Sequence, residues 1–120
     1  PHPNSLTKLQ NQDQILRTET FIKETANVKT ALYAPPFGEY NEAVVAAAAE
    51  IGYRTILWSV DTIDWQRPPV DILKNRVLKK VHNGAIILMH PTDPTTKALP
   101  SLIHDLKEKG YIITTVSDIL

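Results

Sequence analysis

Cysteine is absent from these 120 residues. That excludes disulfides, thiolate metal sites and a cysteine nucleophile, but it leaves the compartment open, because many exported bacterial proteins also lack cysteine. Charge of one sign is missing too: 13 Lys and Arg balance 13 Asp and Glu. Without a basic field there is little to gather nucleic acid or anionic lipid, and neither is an expected partner. No apolar run approaches the roughly 18 to 20 residues that cross a bilayer. What remains, 42% apolar and 22% charged residues, suits a globular chain with one core. The opening Pro1-His2-Pro3-Asn4 has neither a Met nor the charged start of a signal peptide, and reads as the back part of something longer.

Glycine is scarce, with four in all, and three of them fall at informative places. Gly52, Gly84 and Gly110 each precede a short apolar run rich in β-branched and aromatic residues, at 53–60, 85–89 and 111–116. These runs read as buried strands. Ahead of each glycine lies a stretch with helical spacing, so the repeating unit is helix, glycine, strand. The expected helices cover 41–51, 70–81 and 96–109. An earlier helix is expected over 12–25, a short extended piece at 31–33, and a final helical turn capped by Ser117. In the third helix Leu99, Leu102, Ile103 and Leu106 make an apolar stripe, with Asp105 and Lys109 paired on its outer side. Helices alternating with continuous apolar strands imply an α/β fold with a parallel sheet. Four strands in 120 residues favour part of a β/α barrel over a doubly wound sheet.

In such a fold, chemistry sits where strands end and βα loops begin. Those loops are Ala34-Pro35-Pro36-Phe37-Gly38, Asp61-Thr62-Ile63-Asp64-Trp65 and His90-Pro91-Thr92-Asp93-Pro94. A carboxylate bonded to one imidazole nitrogen fixes the tautomer and favours the charged ring, which can then serve as a general acid. Asp64 or Asp61 with His90 satisfies that requirement; the plainer alternative makes the two Asp local caps and His90 an ordinary rim residue. Trp65 stands outside the apolar run, where it either stacks on a sugar face or folds back over the strand ends. Trp58, inside the run, is expected in the core. The aromatic loop around Tyr33, Pro36 and Phe37 can wall a pocket but carries no acid or base. His2 taken alone is a solvated histidine, since a zinc site needs three or four donors. His82 and His104 fall on helices and read as structural or solvated.

The order of these loops resembles the NodB-homology polysaccharide deacetylases, carbohydrate esterase family 4. His2-Pro3-Asn4, the loop from Tyr33 to Gly38, the run Leu57-Trp58-Ser59-Val60-Asp61-Thr62-Ile63-Asp64-Trp65 and Leu88-Met89-His90 look like the family's second to fifth motifs in order. The branch it looks most like is the sporulation-associated one of bacilli. Residues 1–120 then read as the C-terminal portion of a single domain, a distorted (β/α) barrel.

The resemblance implies removal of acetyl groups from N-acetylhexosamines in peptidoglycan or a chitin-like polymer of the bacterial envelope. It also implies a divalent metal, usually zinc, held by one Asp and two His. Carried over by position, His90 is the general acid, Asp64 its supporting carboxylate and His2 the second metal histidine. Trp65 and Leu88 line the groove, Pro36 and Phe37 form the opposite wall, and Tyr33 and Asp61 are further groove residues.

The sequence also departs from the family pattern. The first motif, with the metal Asp and the base Asp, and the first metal histidine are not among these residues. With one ligand of three, this chain alone is not expected to hold the metal, and a separate N-terminal piece of the same domain is the expected partner. Ala34 stands where the family has Arg, a charged partner of the base. Its loss is expected to cost about 2 to 4 kcal/mol of transition-state stabilisation. The competing expectation is therefore a weak or inactive deacetylase-like protein that binds glycan or a partner. A third is an unrelated β/α fragment.

Overall fold

The computed structural model describes all residues, Pro1–Leu120, and divides them into two compact units, Pro1–Leu57 and Trp58–Leu120. The first unit opens with α1, Lys8–Ala26, capped by a reciprocal pair in which the Thr7 hydroxyl accepts the Gln10 N–H and the Gln10 side chain accepts the Thr7 N–H. Next come β1, Leu32–Tyr33, α2, Glu42–Glu50, and β2, Arg54–Thr55. The strands pair in parallel, Leu32 opposite Arg54 and Tyr33 opposite Thr55. The Ala-rich face of α2 is covered completely, with Ala47 and Ala48 at 0% exposure. Its small side chains let the helix approach closely, and Ile15, Ala48 and Tyr53 make the core, with Tyr33 and Ile51 against it.

The second unit repeats the strand-helix-strand plan. It contains β3, Val60–Asp61, α3, Val70–Lys80, β4, Ile87–Leu88, α4, Asp93–Glu108, and a last turn, α5, Val116–Ile119. β3 and β4 are parallel, Val60 opposite Ile87 and Asp61 opposite Leu88. Both strands therefore end on the same side, and the loops that follow them meet there. Val60, Leu73, Val77, Ala98, Leu102 and Leu106 form the core. Deleting any of the larger ones, such as Leu102 to Ala, carries the usual cost of about 2 to 5 kcal/mol.

Helices and glycines agree with the sequence pattern; strands and several side chains do not. Gly52 and Gly110 follow α2 and α4 with φ of 84° and 91°, a conformation that stops a helix and that a side chain disfavours. The strand expected over 53–60 divides into two, β2 and β3, in different sheets; those expected at 31–33 and 85–89 shrink to two paired residues each; and 111–115 pairs with no strand, leaving Ile112 91% exposed. The third long helix starts at Asp93, not at residue 96, because Pro94 suits the first turn, where its missing N–H costs no helical bond. The buried stripe of α4 is accordingly Thr95, Ala98, Leu102 and Leu106, and Leu99 lies 37% exposed. Asp105 pairs with Lys74 of α3 at 2.8 Å instead of with Lys109. Trp58 is half-buried rather than in the core, His82 lies beyond the end of α3, and the final turn is capped from Thr115, not Ser117. No helix is long and apolar enough to cross a membrane.

Candidate active site

The parallel pairing of β3 and β4 builds the site in the second unit. Asp64 lies three residues beyond the end of β3 and His90 two beyond the end of β4. The two loops are fastened at the Leu88 carbonyl, which accepts the Thr62 N–H at 3.2 Å and the Thr62 hydroxyl at 2.9 Å. From α3, the Arg76 guanidinium donates to the Thr62 carbonyl at 2.6 Å. Asp61 turns its Oδ1 onto the Ile63 N–H at 2.9 Å. It thus shapes its own loop, and Asp64 is the carboxylate that reaches His90. Ile63 and Arg67 bracket the short helical turn Asp64–Gln66 with left-handed φ of 52° and 53°.

Asp64 is fully buried, at 0% exposure. Its Oδ1 accepts from His90 Nδ1 at 2.7 Å, and its Oδ2 accepts the Thr95 hydroxyl at 2.7 Å and the His90 backbone N–H. Burial pushes the carboxyl up, but hydrogen bonds from the His90 backbone, the Thr95 hydroxyl and the His90 ring together outweigh it and hold the group below its ordinary value. Asp64 is thus a buried charge with every side-chain oxygen satisfied. An ionised carboxylate only accepts, so His90 carries its proton on Nδ1 and presents Nε2 outward. The His90 side chain is 48% exposed and can reach a ligand. Trp65, next in the turn, is 63% exposed, and Leu88 is half-buried.

The remaining candidates lie in the first unit. The His2 ring stacks on Phe37 with centroids 4.2 Å apart and planes at 14°, and its Nδ1 meets Glu39 Oε1 at 2.7 Å. Phe37 reaches this position with a left-handed φ of 61°, in the tight turn Pro36–Gly38. Tyr33, Ala34 and Pro36 line a cavity of about 310 Å³ floored by Ile15 and Tyr53, and burial raises the Tyr33 phenol above its ordinary value. No cluster of three His, Asp or Glu that could hold a metal ion occurs in the chain.

Thr95, Thr92, Arg76 and Glu39 were not evident as site residues from the sequence. The one available signal was the pair Thr92 and Thr95 around Pro94, an N-cap followed three residues later by a second hydroxyl. The Thr92 oxygen does accept the Thr95 N–H, at 3.4 Å.

A hydrogen-bonded Asp–His pair follows the carboxyl ends of two parallel strands, in repeated strand-helix units, the rim at which β/α folds carry their sites. Comparison with known proteins fixes the family. Residues 1–56 match the family model described as polysaccharide deacetylase. Over 120 residues the chain is 46% identical to YlxY of Bacillus subtilis, an uncharacterized protein, covering 100% of this chain and 38% of that one. It is 38% identical over 108 residues to a peptidoglycan-N-acetylglucosamine deacetylase of Bacillus cereus, covering 85% of this chain and 48% of that protein. The crystal structure of BA3943 of Bacillus anthracis, described as a CE4 family pseudoenzyme, superposes with a TM-score of 0.95 at 42% identity, over 99% of this chain and 42% of its own. A mutant of BA3943 described as having restored enzymatic activity superposes equally well, with a TM-score of 0.95 at 41% identity over 99% of this chain and 44% of its own.

The chain belongs to the polysaccharide deacetylases of carbohydrate esterase family 4, and its fold is part of the NodB (β/α) barrel. It spans less than half the length of these relatives.

Proposed function

We propose that the chain forms part of a metal-dependent deacetylase that removes acetyl groups from N-acetylhexosamine residues of a cell-wall polysaccharide, peptidoglycan or a chitin-like polymer. Its own contribution is the general acid. The 2.7 Å bond between His90 Nδ1 and Asp64 Oδ1 carries this reading, because it leaves the exposed Nε2 as the proton-bearing edge of the charged ring. In amide hydrolysis the nitrogen leaves only when protonated. His90 Nε2–H gives its proton to that nitrogen as the carbon–nitrogen bond breaks, and Asp64 stabilises the ring while it is charged. Trp65 offers an exposed ring for the face of a sugar.

A bound divalent metal, zinc in the usual case, supplies polarisation of the amide carbonyl and activation of water. The residues present fit one ligand position of such a centre: the Glu39 carboxylate holds His2 by Nδ1, leaving Nε2 as a donor. The other ligands are proposed to come from the remaining, N-terminal part of the same domain, and the place of action to be the bacterial envelope, in wall or spore formation. The names of the relatives support a peptidoglycan substrate.

A second reading, loss of the reaction with the groove retained, is favoured by Ala34 at the family's Arg position and by the likeness to BA3943, described as a pseudoenzyme. One experiment separates the two. The full-length protein is assayed for acetate release from peptidoglycan and chitooligosaccharides with zinc or cobalt, alongside His90→Asn and Ala34→Arg. Release abolished by His90→Asn supports the first reading. Release seen only with Ala34→Arg supports the second. Release unaffected by His90→Asn overturns the role of His90.

A further inference from the structure

The hydrogen bonds around Asp64 have only one consistent direction. Oδ1 takes the His90 Nδ1–H, and Oδ2 takes the Thr95 hydroxyl proton and the His90 backbone N–H. A carboxylate held in the ionised form donates nothing, so Thr95 must be the donor at its 2.7 Å contact. Thr95 has a single hydroxyl proton. Once that proton faces Asp64, its oxygen can only accept in the 3.0 Å contact with Thr92 Oγ1. Thr92 is therefore the donor there, and its lone pair takes the Thr95 N–H. The donors run one way, from the N-cap of α4 through Thr95 into Asp64, and meet the His90 ring coming from the other side.

We propose that Thr95 is a positioning residue for His90 that acts through Asp64, with Thr92 fixing its hydroxyl. The proposal rests on the reading of His90 as the general acid and adds to it the element that keeps the acid aimed. A carboxylate joined only to the ring can turn about its last side-chain bond and exchange its oxygens. The hydroxyl and the backbone N–H, both on Oδ2, stop that turn and leave Oδ1 for Nδ1. Thr95 is 5% exposed and Asp64 is 0% exposed, so solvent does not replace a lost hydroxyl without a rearrangement. The start of α4 adds its positive end to the same carboxylate. Charged neighbours on these loops are occupied elsewhere: Arg67 faces Asp93 at 4.0 Å, and Arg76 holds the Thr62 carbonyl.

The test compares Thr95→Val, which keeps the shape and removes the hydroxyl, with Thr95→Ser, which keeps the hydroxyl and removes the methyl. Both are made in the full-length protein. Two quantities are read: the ring-nitrogen NMR shifts of neutral His90, which report the tautomer, and the split of acetate release into kcat and KM.

The expected result for Thr95→Val is a growing share of the Nε2–H tautomer and a kcat lowered about tenfold or more, a part of what general acid catalysis contributes, at unchanged KM. Thr95→Ser stays close to the parent in both. The proposal is overturned if Thr95→Val keeps the parent tautomer and kcat, or if Thr95→Ser is as impaired as Thr95→Val. Should Thr95→Val fail to fold, Thr95→Ala puts the same question with a small cavity in place of the methyl. The NMR reading works in protein without turnover, so failure of the deacetylase reading and failure of the role of Thr95 are told apart.

Discussion

The ring of His2 lies flat on the ring of Phe37, 4.2 Å between centroids, while Glu39 from the same loop holds its Nδ1 at 2.7 Å. A histidine that the sequence presents as solvated is in fact clamped on two sides by residues 35 and 37 positions further along. With Nδ1 occupied, only Nε2 can bind a cation.

On the proposed role of His2 as a metal ligand, Glu39→Gln is expected to weaken zinc binding by the full-length protein by about 10- to 100-fold, the usual loss when the outer partner of a metal histidine is removed. Competition with a chelator measures it. Unchanged affinity would mean that His2 is not a metal ligand or needs no partner.

The charge on Asp64 makes stability depend on pH in a defined direction. Its folded-state value is depressed below the ordinary 3.8, so its contribution is complete above that value and is lost as pH falls through the folded one. Urea unfolding between pH 7 and pH 3 should show a downward step in stability at the acid end, with that step smaller in Asp64→Asn, the lowered Asp105 and Asp118 carboxyls accounting for what remains. At neutral pH Asp64→Asn is itself destabilised by about 1 to 3 kcal/mol, because its amide group meets donors where the carboxylate accepted them.

Arg76 supports the site from beneath, through the Thr62 carbonyl of a residue at 0% exposure. Arg76→Met keeps much of the packing and removes the donor, leaving the carbonyl without its side-chain partner. The expected outcome is a loss of about 1 to 3 kcal/mol in urea unfolding and a lower kcat, since the loop that carries Asp64 loosens. A stability equal to that of the parent would show that water or another group replaces the guanidinium.

Trp65 behaves in the opposite way. At 63% exposure it contributes little to packing, and Trp65→Ala should leave the thermal midpoint almost unchanged. Binding of chitooligosaccharides, followed by calorimetry or as KM, should weaken by about 1 kcal/mol or more, in the range of a lost stacking contact. Equal binding by parent and variant would remove Trp65 from the groove.

Much of this was legible in the sequence, for reasons that can be traced residue by residue. Asp64 and His90 follow apolar runs, and runs that pair in parallel bring their following loops together, so the contact between the two could be anticipated from order alone. Gly52 and Gly110 marked helix ends because few other residues accept their backbone angles. What was not legible depended on partners. The apolar run after Gly110 pairs with no strand, since a strand exists only beside another and no local pattern can supply a neighbour. Asp105 chose Lys74 across a helix interface over Lys109 on its own helix. By spacing alone Asp61 and Asp64 are alternatives; the fold gives Asp61 the Ile63 N–H at 2.9 Å in its own turn and Asp64 a histidine from the next loop. Thr95 falls just outside the helix expected over 96–109, whereas α4 starts at Asp93 and takes Pro94 and Thr95 into its first turn.

Ile63 and Arg67 hold left-handed angles on either side of the turn that carries Asp64. For a residue with a side chain that conformation costs about 1 to 2 kcal/mol, and for a β-branched one such as Ile63 it is seldom seen. A free peptide of this sequence would relax into another shape. The bearing of the carboxylate is therefore an imprint of completed packing and not a local habit of the chain. The direction in which Asp64 faces His90 is thus set by the packed structure around the turn, and not by residues 63–67 alone.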